Sequence, residues 1–95
     1  MTERYPREIT LKITEDDIRR GIRERCEECP AALAAIRLFP GHGCSAGQIG
    51  VVLMSPGGEV TMAIYETSEA LQAFMDDFDA GYPVSPAEYG LRRIR

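Results

Sequence analysis

Two apolar segments separated by a short turn constrain the fold more than any other feature of the chain. Residues 48–55 form a continuous apolar run, which is typical of a central β-strand. The turn sequence Pro56-Gly57-Gly58 follows, and residues 59–66 then return as a second strand-like segment. The sequence therefore predicts an antiparallel β-hairpin over residues 48–66.

The segment before this hairpin begins with a predicted strand and a short helix. Apolar and polar residues alternate over residues 8–13, as they do in a half-buried strand. Thr14 occupies an N-cap position, and Asp17 at the third helical position forms a weak capping box with it. We therefore expect a marginal helix over residues 15–25, which contains the helix-weakening residue Gly21.

A second helix is predicted to begin at Pro30, because a proline at the first helical position forfeits no hydrogen bond. The helix runs to Phe39, and Arg37 is its only charged residue. A helix that is apolar nearly all round is buried by the core or by a partner. Core burial is our first expectation, and a homodimer is the alternative. A glycine-rich loop is expected from Pro40 to Gly47.

A third helix is predicted over residues 68–80, with Thr67 as its N-cap and Gly81 just after its end. Four apolar side chains recur in it at the spacing of one buried helix face, namely Leu71, Phe74, Met75 and Phe78. Residues 82–95 contain two prolines and are expected to end in a short edge strand.

These elements predict the fold class. Their order is β-α-α-β-β-α-(β), and we find neither an internal repeat nor a linker. We expect residues 1–95 to form a single α+β domain. A three- to four-stranded, mainly antiparallel sheet with the helices packed on one face would bury every apolar stripe.

The charge of the chain limits the classes of partner. Fifteen acidic and 11 basic residues give a formal net charge of −4, which argues against a dedicated nucleic-acid-binding protein. Arginines clustered at residues 19–25 and 92–95 nevertheless provide local basic surfaces. No apolar run approaches the ~18 residues of a membrane span, and the first residues lack the apolar core of a signal peptide. We therefore expect a cytoplasmic protein without a membrane partner.

The three cysteines and the single histidine form one candidate metal site. Cys26, Cys29, His42 and Cys44 lie within nineteen residues, and a Cys₃His set suits tetrahedral zinc. The single residue between His42 and Cys44 is shorter than the usual spacing of zinc ligands. Reduced thiols in a cytoplasmic protein are the alternative interpretation. Zinc is thus the one cofactor that the sequence suggests, and no cofactor is the first expectation.

The Cys26-x-x-Cys29 pair also suggests a thiol oxidoreductase. Cys29 directly precedes a predicted helix N-terminus, which lowers the pKa of a thiol. Glu27 and Glu28 lie between the two cysteines and oppose formation of a thiolate. Redox catalysis is therefore the enzymatic alternative to a binding function.

An acidic surface on the third helix is the candidate partner-binding site. Asp76, Asp77 and Asp79 lie in the last turns, where the helix dipole disfavours anions, and Glu69 extends the acidity towards the helix start. These residues form either a solvated helix face or a docking surface for a basic protein.

Two stretches of the chain resemble a known group of proteins. The first spans residues 13–34 and contains Asp17-x-x-x-Gly21 followed by Cys26-x-x-Cys29-Pro30, and the second covers residues 74–86. Together they are similar to the opening and closing segments of small uncharacterised proteins from actinobacteria and their phages. The resemblance carries over no catalytic residue. It implies a phage or mobile-element context, in which small acidic domains often act by binding a host protein.

The residues and the resemblance together predict a small, non-enzymatic protein-interaction domain that binds a host or phage protein. A thiol oxidoreductase and a zinc-stabilised domain are the two alternatives.

Overall fold

A computed structural model describes residues 5–95 of the chain. It contains five strands and three helices, which we number in chain order: β1 (Glu8–Ile13), α1 (Glu15–Arg20), α2 (Pro30–Leu38), β2 (Gly43–Ala46), β3 (Val51–Met54), β4 (Thr61–Tyr65), α3 (Glu69–Ala80) and β5 (Ala87–Arg92). The predicted α+β class, the hairpin and the strand in the tail are confirmed. The predicted edge position of that strand is wrong, because β5 pairs with β1 on one side and the residues that follow it hydrogen-bond to β4 on the other. No helix in this part of the chain is long and apolar enough to cross a membrane.

The strands form two antiparallel sheets that the C-terminal residues join. β1 pairs with β5, and β3 lies between β2 and β4. Just beyond β5, the backbone N–H of Ile94 donates to the carbonyl oxygen of Ile64 over 2.8 Å. The N–H of Ile64 donates in turn to the carbonyl oxygen of Arg95 over 2.9 Å. The spatial order of the strands is therefore β2-β3-β4-β5-β1.

The two faces of these sheets differ in burial. Side chains alternate between faces along a strand, and one face supplies the strand part of the core, including Leu11, Ile13, Leu53, Tyr65 and Leu91. Helix α2 packs against β1, β2 and β3, and Phe74 of α3 contacts Tyr89 of β5 with ring centroids 6.0 Å apart. The helices thus cover this face, as predicted.

Helix α1 is shorter than its sequence pattern predicts. The capping box is present: Thr14 Oγ1 accepts from the N–H of Asp17 over 3.2 Å, and the Asp17 carboxylate accepts from the N–H of Thr14 over 2.9 Å. The helix ends at Arg20 because Gly21 takes an extended conformation, with φ −66° and ψ 148°. The predicted end at residue 25 is therefore wrong, and residues 21–29 form a loop.

Two local predictions are also wrong, because contacts with distant parts of the chain override the local sequence pattern. The glycine-rich segment after α2 contains strand β2, in which Cys44 pairs with Leu53 and Ala46 with Val51. The N-cap of α3 is Ser68, whose hydroxyl accepts from the N–H of Leu71 over 3.2 Å. Thr67 instead donates its hydroxyl hydrogen to the carbonyl oxygen of Gly47 over 2.9 Å.

The turn of the hairpin follows the predicted chemistry. Gly57 and Gly58 have φ values of 92° and 75°, in a region that glycine occupies without steric cost. The N–H of Gly58 donates to the carbonyl oxygen of Ser55 over 2.8 Å and closes the turn.

Candidate functional site

The loop over residues 21–29 has a defined conformation because the fold holds it at both ends. Gly21 packs directly on the ring of Pro30: a Cβ atom at position 21 would lie 2.6 Å from Cδ of that proline. The N–H of Ile22 donates to the carbonyl oxygen of Glu28 over 2.8 Å, which closes the loop on itself. The carbonyl oxygen of Cys26 accepts from the N–H of Ala46 over 2.9 Å. The loop is thereby fixed to α2 and β2.

The same loop is also attached to the end of α3. Asp79 accepts a hydrogen bond from the backbone N–H of Glu24 over 2.9 Å. Glu24 has a φ of 58°, a left-handed conformation that is uncommon for a residue other than glycine. The guanidinium of Arg23 lies beside Gly81, where an added Cβ would be 3.3 Å from its Cζ. The acidic end of α3 and the cysteine-containing loop therefore form one continuous surface.

A cleft opens where the loop, α2 and α3 meet, and we call it the cysteine cleft. Its volume is about 210 Å³, and it is lined by Glu24, Arg25, Cys26, Cys29, Pro30, Ala46, Met75, Phe78 and Asp79. Among these, Pro30, Ala46, Met75 and Phe78 are buried, whereas the charged residues Glu24, Arg25 and Asp79 are exposed. Sites for drug-sized ligands typically have volumes of roughly 300–1,000 Å³. The cysteine cleft is smaller and suits one or two side chains of a binding partner.

The cysteines differ in exposure and therefore in reactivity. Cys26 is exposed, whereas Cys29 and Cys44 are buried, and all three are free thiols. Burial raises the pKa of the Cys29 thiol. Burial, with a smaller contribution from Cys29, raises the pKa of Cys44 to about 12. Since the thiolate is the reactive form, neither buried cysteine is suited to nucleophilic chemistry at neutral pH.

The structure brings only some of the predicted zinc ligands together. Cys26 and Cys29 line the same cleft, and the Cys29 Sγ lies 3.8 Å from the carbonyl oxygen of Cys26. Nε2 of His42 lies 2.7 Å from the hydroxyl oxygen of Tyr5, a hydrogen-bonding distance. Across residues 5–95, no three His, Cys, Asp or Glu side chains are grouped so that they could hold a metal ion. Zinc binding by Cys26, Cys29, His42 and Cys44 stays a prediction.

The acidic residues predicted to bind a partner are exposed on α3. Glu69, Asp76, Asp77 and Asp79 all face solvent, and α3 has no basic residue in its last turn. Within the part of the chain that the structure describes, no Lys or Arg nitrogen lies within 4.0 Å of these carboxylates. Asp76 accepts from the side-chain amide of Gln72 over 2.9 Å. The acidic surface is thus available to cations from outside the molecule.

The sequence analysis did not predict the ion pair of Asp17, the most buried charged residue among residues 5–95. Asp17 is only 3% exposed and forms a bidentate pair with Arg37, with N···O distances of 2.7 and 2.9 Å. Burial of the Asp17 carboxyl opposes its ionisation, but hydrogen bonds from Arg37 and Thr14 outweigh this effect and lower its pKa. Arg37 also donates to the carbonyl oxygen of Lys12 over 2.6 Å. The sequence signal for this ion pair is Arg37, the single charged residue in the otherwise apolar helix α2.

The motif Asp17-x-x-x-Gly21 followed by Cys26-x-x-Cys29-Pro30 has a structural explanation in this chain. Asp17 completes the capping box of α1 and pairs with Arg37 of α2. Gly21 leaves room for Pro30, and Cys29 is the N-cap residue of α2. These motif residues therefore shape the loop that borders the cysteine cleft. Only Cys26 among them is exposed.

Comparisons with protein-family models, with curated proteins and with solved structures found no match to this chain.

Proposed function

We propose that the protein is a non-enzymatic interaction domain that binds a basic segment of another protein at the cysteine cleft and the acidic surface of α3. The observation that carries this proposal is the position of Asp79. Its carboxylate belongs to the acidic surface, lines the cleft and holds the backbone of Glu24. A cleft with a partly apolar lining therefore adjoins carboxylates that have no ion pair among residues 5–95.

The cleft and the acidic surface would make different contributions to binding. An apolar side chain of the partner would contact Met75 and Phe78 in the cleft, where burial from water stabilises the complex. Lysine or arginine residues beside it would approach Asp76 and Asp79. Charges at the exposed edge of an interface mainly increase the rate of association and exclude wrongly charged partners. The partner is accordingly a basic segment with at least one apolar anchor.

The resemblance to proteins of actinobacteria and their phages supports a host or phage protein as the partner. The proposal includes a cytoplasmic location. The three cysteines are free thiols, as they would be in a reducing compartment. Burial raises the pKa of the Cys29 thiol, which supports binding rather than thiol redox catalysis as the role of the cleft.

Affinity capture from a host lysate, followed by mass spectrometry, tests the proposal when three proteins are compared. The first is the wild type, the second carries Asp76→Lys and Asp77→Lys, and the third carries Glu15→Lys and Glu59→Lys. All four positions are exposed. Each variant replaces two acidic residues with two lysines, so both variants change the net charge by the same amount. We expect the α3 variant alone to lose the captured partner. Equal capture by all three proteins would contradict the proposal.

A second pair of variants tests the cleft. Cys26→Trp places a large side chain at an exposed position of the lining, and Cys26→Ser is the matched control. We expect the tryptophan variant to weaken binding of the captured partner and the serine variant to retain it. If the partner binds both variants with wild-type affinity, the interaction involves the acidic surface and not the cleft.

A further inference from the structure

Strand β1 lies at one end of the strand order and has an open edge. In an antiparallel pair, residues that hydrogen-bond to the opposite strand alternate with residues whose backbone groups point away from it. The N–H of Arg93 donates to the carbonyl oxygen of Arg7, which lies opposite it when the β1–β5 register is extended by one residue. The backbone groups of Glu8, Thr10 and Lys12 therefore point away from β5.

The contacts of this edge support the same direction. The guanidinium of Arg37 donates to the carbonyl oxygen of Lys12 over 2.6 Å, so that oxygen faces out of the sheet. Within residues 5–95, no other group hydrogen-bonds to the outward backbone groups of these three residues. At the opposite end of the strand order, β2 is shorter, and its Ala46 donates its N–H to the loop before α2. β1 is thus the more open of the two edges.

The side chains of β1 carry opposite charges at equal distances from Thr10. Glu8 and Lys12 lie on the same face as Thr10, which is the face that the helices leave uncovered, and all three residues are exposed. Charged side chains on an edge strand usually discourage pairing between copies. Opposite charges placed symmetrically about one residue have the reverse effect, because antiparallel pairing brings each charge opposite the other.

One register of two antiparallel β1 strands suits both the backbone and the side chains. It places Thr10 opposite Thr10 of the second copy, so that each Glu8 faces the second copy's Lys12. The outward N–H and C=O groups then pair across a two-fold axis, and the Lys12 oxygen accepts through its second lone pair. On the covered face, the partly buried Ile9 would meet Leu11. A shift by two residues in either direction would set both charges opposite uncharged residues, and a shift by one would mismatch the faces.

The charges on β5 extend this match. Arg92 lies opposite Glu8, and Glu88 lies opposite Lys12, in the β1–β5 register. Across the uncovered face of the paired strands, the order would be Arg92 and Glu8 of one copy, then Lys12 and Glu88 of the second. Positive and negative charges alternate along this row. A second copy of this chain is therefore complementary in charge to the edge, whereas a segment with one sign of charge is not.

We propose that β1 pairs antiparallel with β1 of a second copy about a two-fold axis at Thr10, which joins the two sheets into one. Two-fold symmetric dimers are the commonest oligomers. An edge contact buries less surface than a standard interface, so we expect a weak dimer that depends on concentration. The edge is separate from the cysteine cleft and the acidic surface of α3, and the proposal does not depend on the function proposed for them.

Sedimentation velocity over a range of protein concentrations tests the charge match. Glu8→Lys and Lys12→Glu each set like charges opposite each other, so we expect each variant alone to dimerise about tenfold more weakly or worse. An equimolar mixture of the two variants restores opposite charges and should form a heterodimer. A mixture that stays monomeric would overturn this register. Glu59→Lys, at an exposed position outside β1, is the matched control and should dimerise like the wild type.

A backbone variant tests the hydrogen bonds separately. Thr10→Pro removes an N–H that points away from β5, and proline is tolerated on edge strands in that orientation. We expect this variant to stay monomeric and Thr10→Val, which keeps the N–H, to dimerise. Circular dichroism would establish that each variant is folded. Absence of a wild-type dimer up to about 1 mM protein, or a dimer that persists unchanged in Glu8→Lys, Lys12→Glu and Thr10→Pro, would overturn the proposal.

Discussion

Gly21 and Pro30 are in such close contact that no side chain fits at position 21. A Cβ atom there would lie 2.6 Å from Cδ and 2.7 Å from Cγ of the proline ring. Pro30 is fully buried at the start of α2, so its ring has little freedom to move away. This contact brings the end of α1 against the start of α2 and shapes the loop that borders the cysteine cleft.

We expect Gly21→Ala to lower the free energy of unfolding by about 1–3 kcal/mol, the usual cost of overpacking a buried contact. Gly90→Ala is the matched control, because nothing lies within 4 Å of a Cβ at that position. Alanine in a strand costs less backbone entropy than glycine, so the control should be neutral or slightly stabilising. Urea unfolding of both variants measures the difference. Equal stability of the two variants would contradict the steric interpretation.

The ion pair between buried Asp17 and half-exposed Arg37 predicts a pH-dependent stability. Asp17→Asn should cost about 1–3 kcal/mol at pH 7, because it weakens hydrogen bonds to a buried group. The folded-state pKa of Asp17 is lowered, so the stability gained from its ionised form is complete above the unfolded pKa of about 3.9. That stability is lost as the pH falls through the folded pKa. Denaturant unfolding of wild type and variant should therefore converge in acid.

Asp16→Asn is the control for the Asp17 prediction. Asp16 pairs with Arg19 and Arg20 on the exposed side of α1, and exposed pairs contribute about 0–1 kcal/mol. A difference between wild type and Asp17→Asn that stays constant down to the lowest accessible pH would show that ionisation of Asp17 is not its cause.

The three thiols should react with iodoacetamide at very different rates. Cys26 is exposed and should be alkylated first in the native protein. Cys44 is buried and its pKa is raised to about 12, so at pH 8 it should react only when the structure opens. Cys29, also buried with a raised pKa, should resemble Cys44. Mass spectrometry of digested samples at successive times gives the three rates, and rapid modification of Cys29 would support the thiol oxidoreductase alternative.

The C-terminal residues should protect the edge of β4 from hydrogen exchange. Ile94→Pro removes the N–H that donates to the carbonyl oxygen of Ile64, at a cost of about 0.5–1.5 kcal/mol. We expect the amide of Ile64, which donates to Arg95, to exchange faster in this variant. Ile94→Ala keeps the N–H and is the control, since the Ile94 side chain is half exposed. Unchanged exchange at Ile64 in the proline variant would mean that this pairing adds little stability.

Much of the fold follows from patterns that act over a few residues. The turn at Gly57 and Gly58, the capping box of Thr14 and Asp17, and the apolar stripe of α3 all predict their elements correctly. Strand β2 was missed, because its four residues carry no apolar alternation and become a strand by pairing with β3. The end of α1 was misplaced, because the contact of Gly21 with Pro30 depends on the position of α2.

The sequence by itself determined the α+β class, the hairpin and the exposed acidic side of α3. Helix caps, turn residues and apolar periodicity are local, so they act before the chain has folded. Tertiary structure alone decided that Glu24 contacts Asp79, 55 residues away, and that Arg37 pairs with Asp17, 20 residues away. It also placed the backbone of Arg7 beside that of Arg93, 86 residues away. Such contacts depend on how the elements pack together, and short-range sequence patterns do not specify that packing.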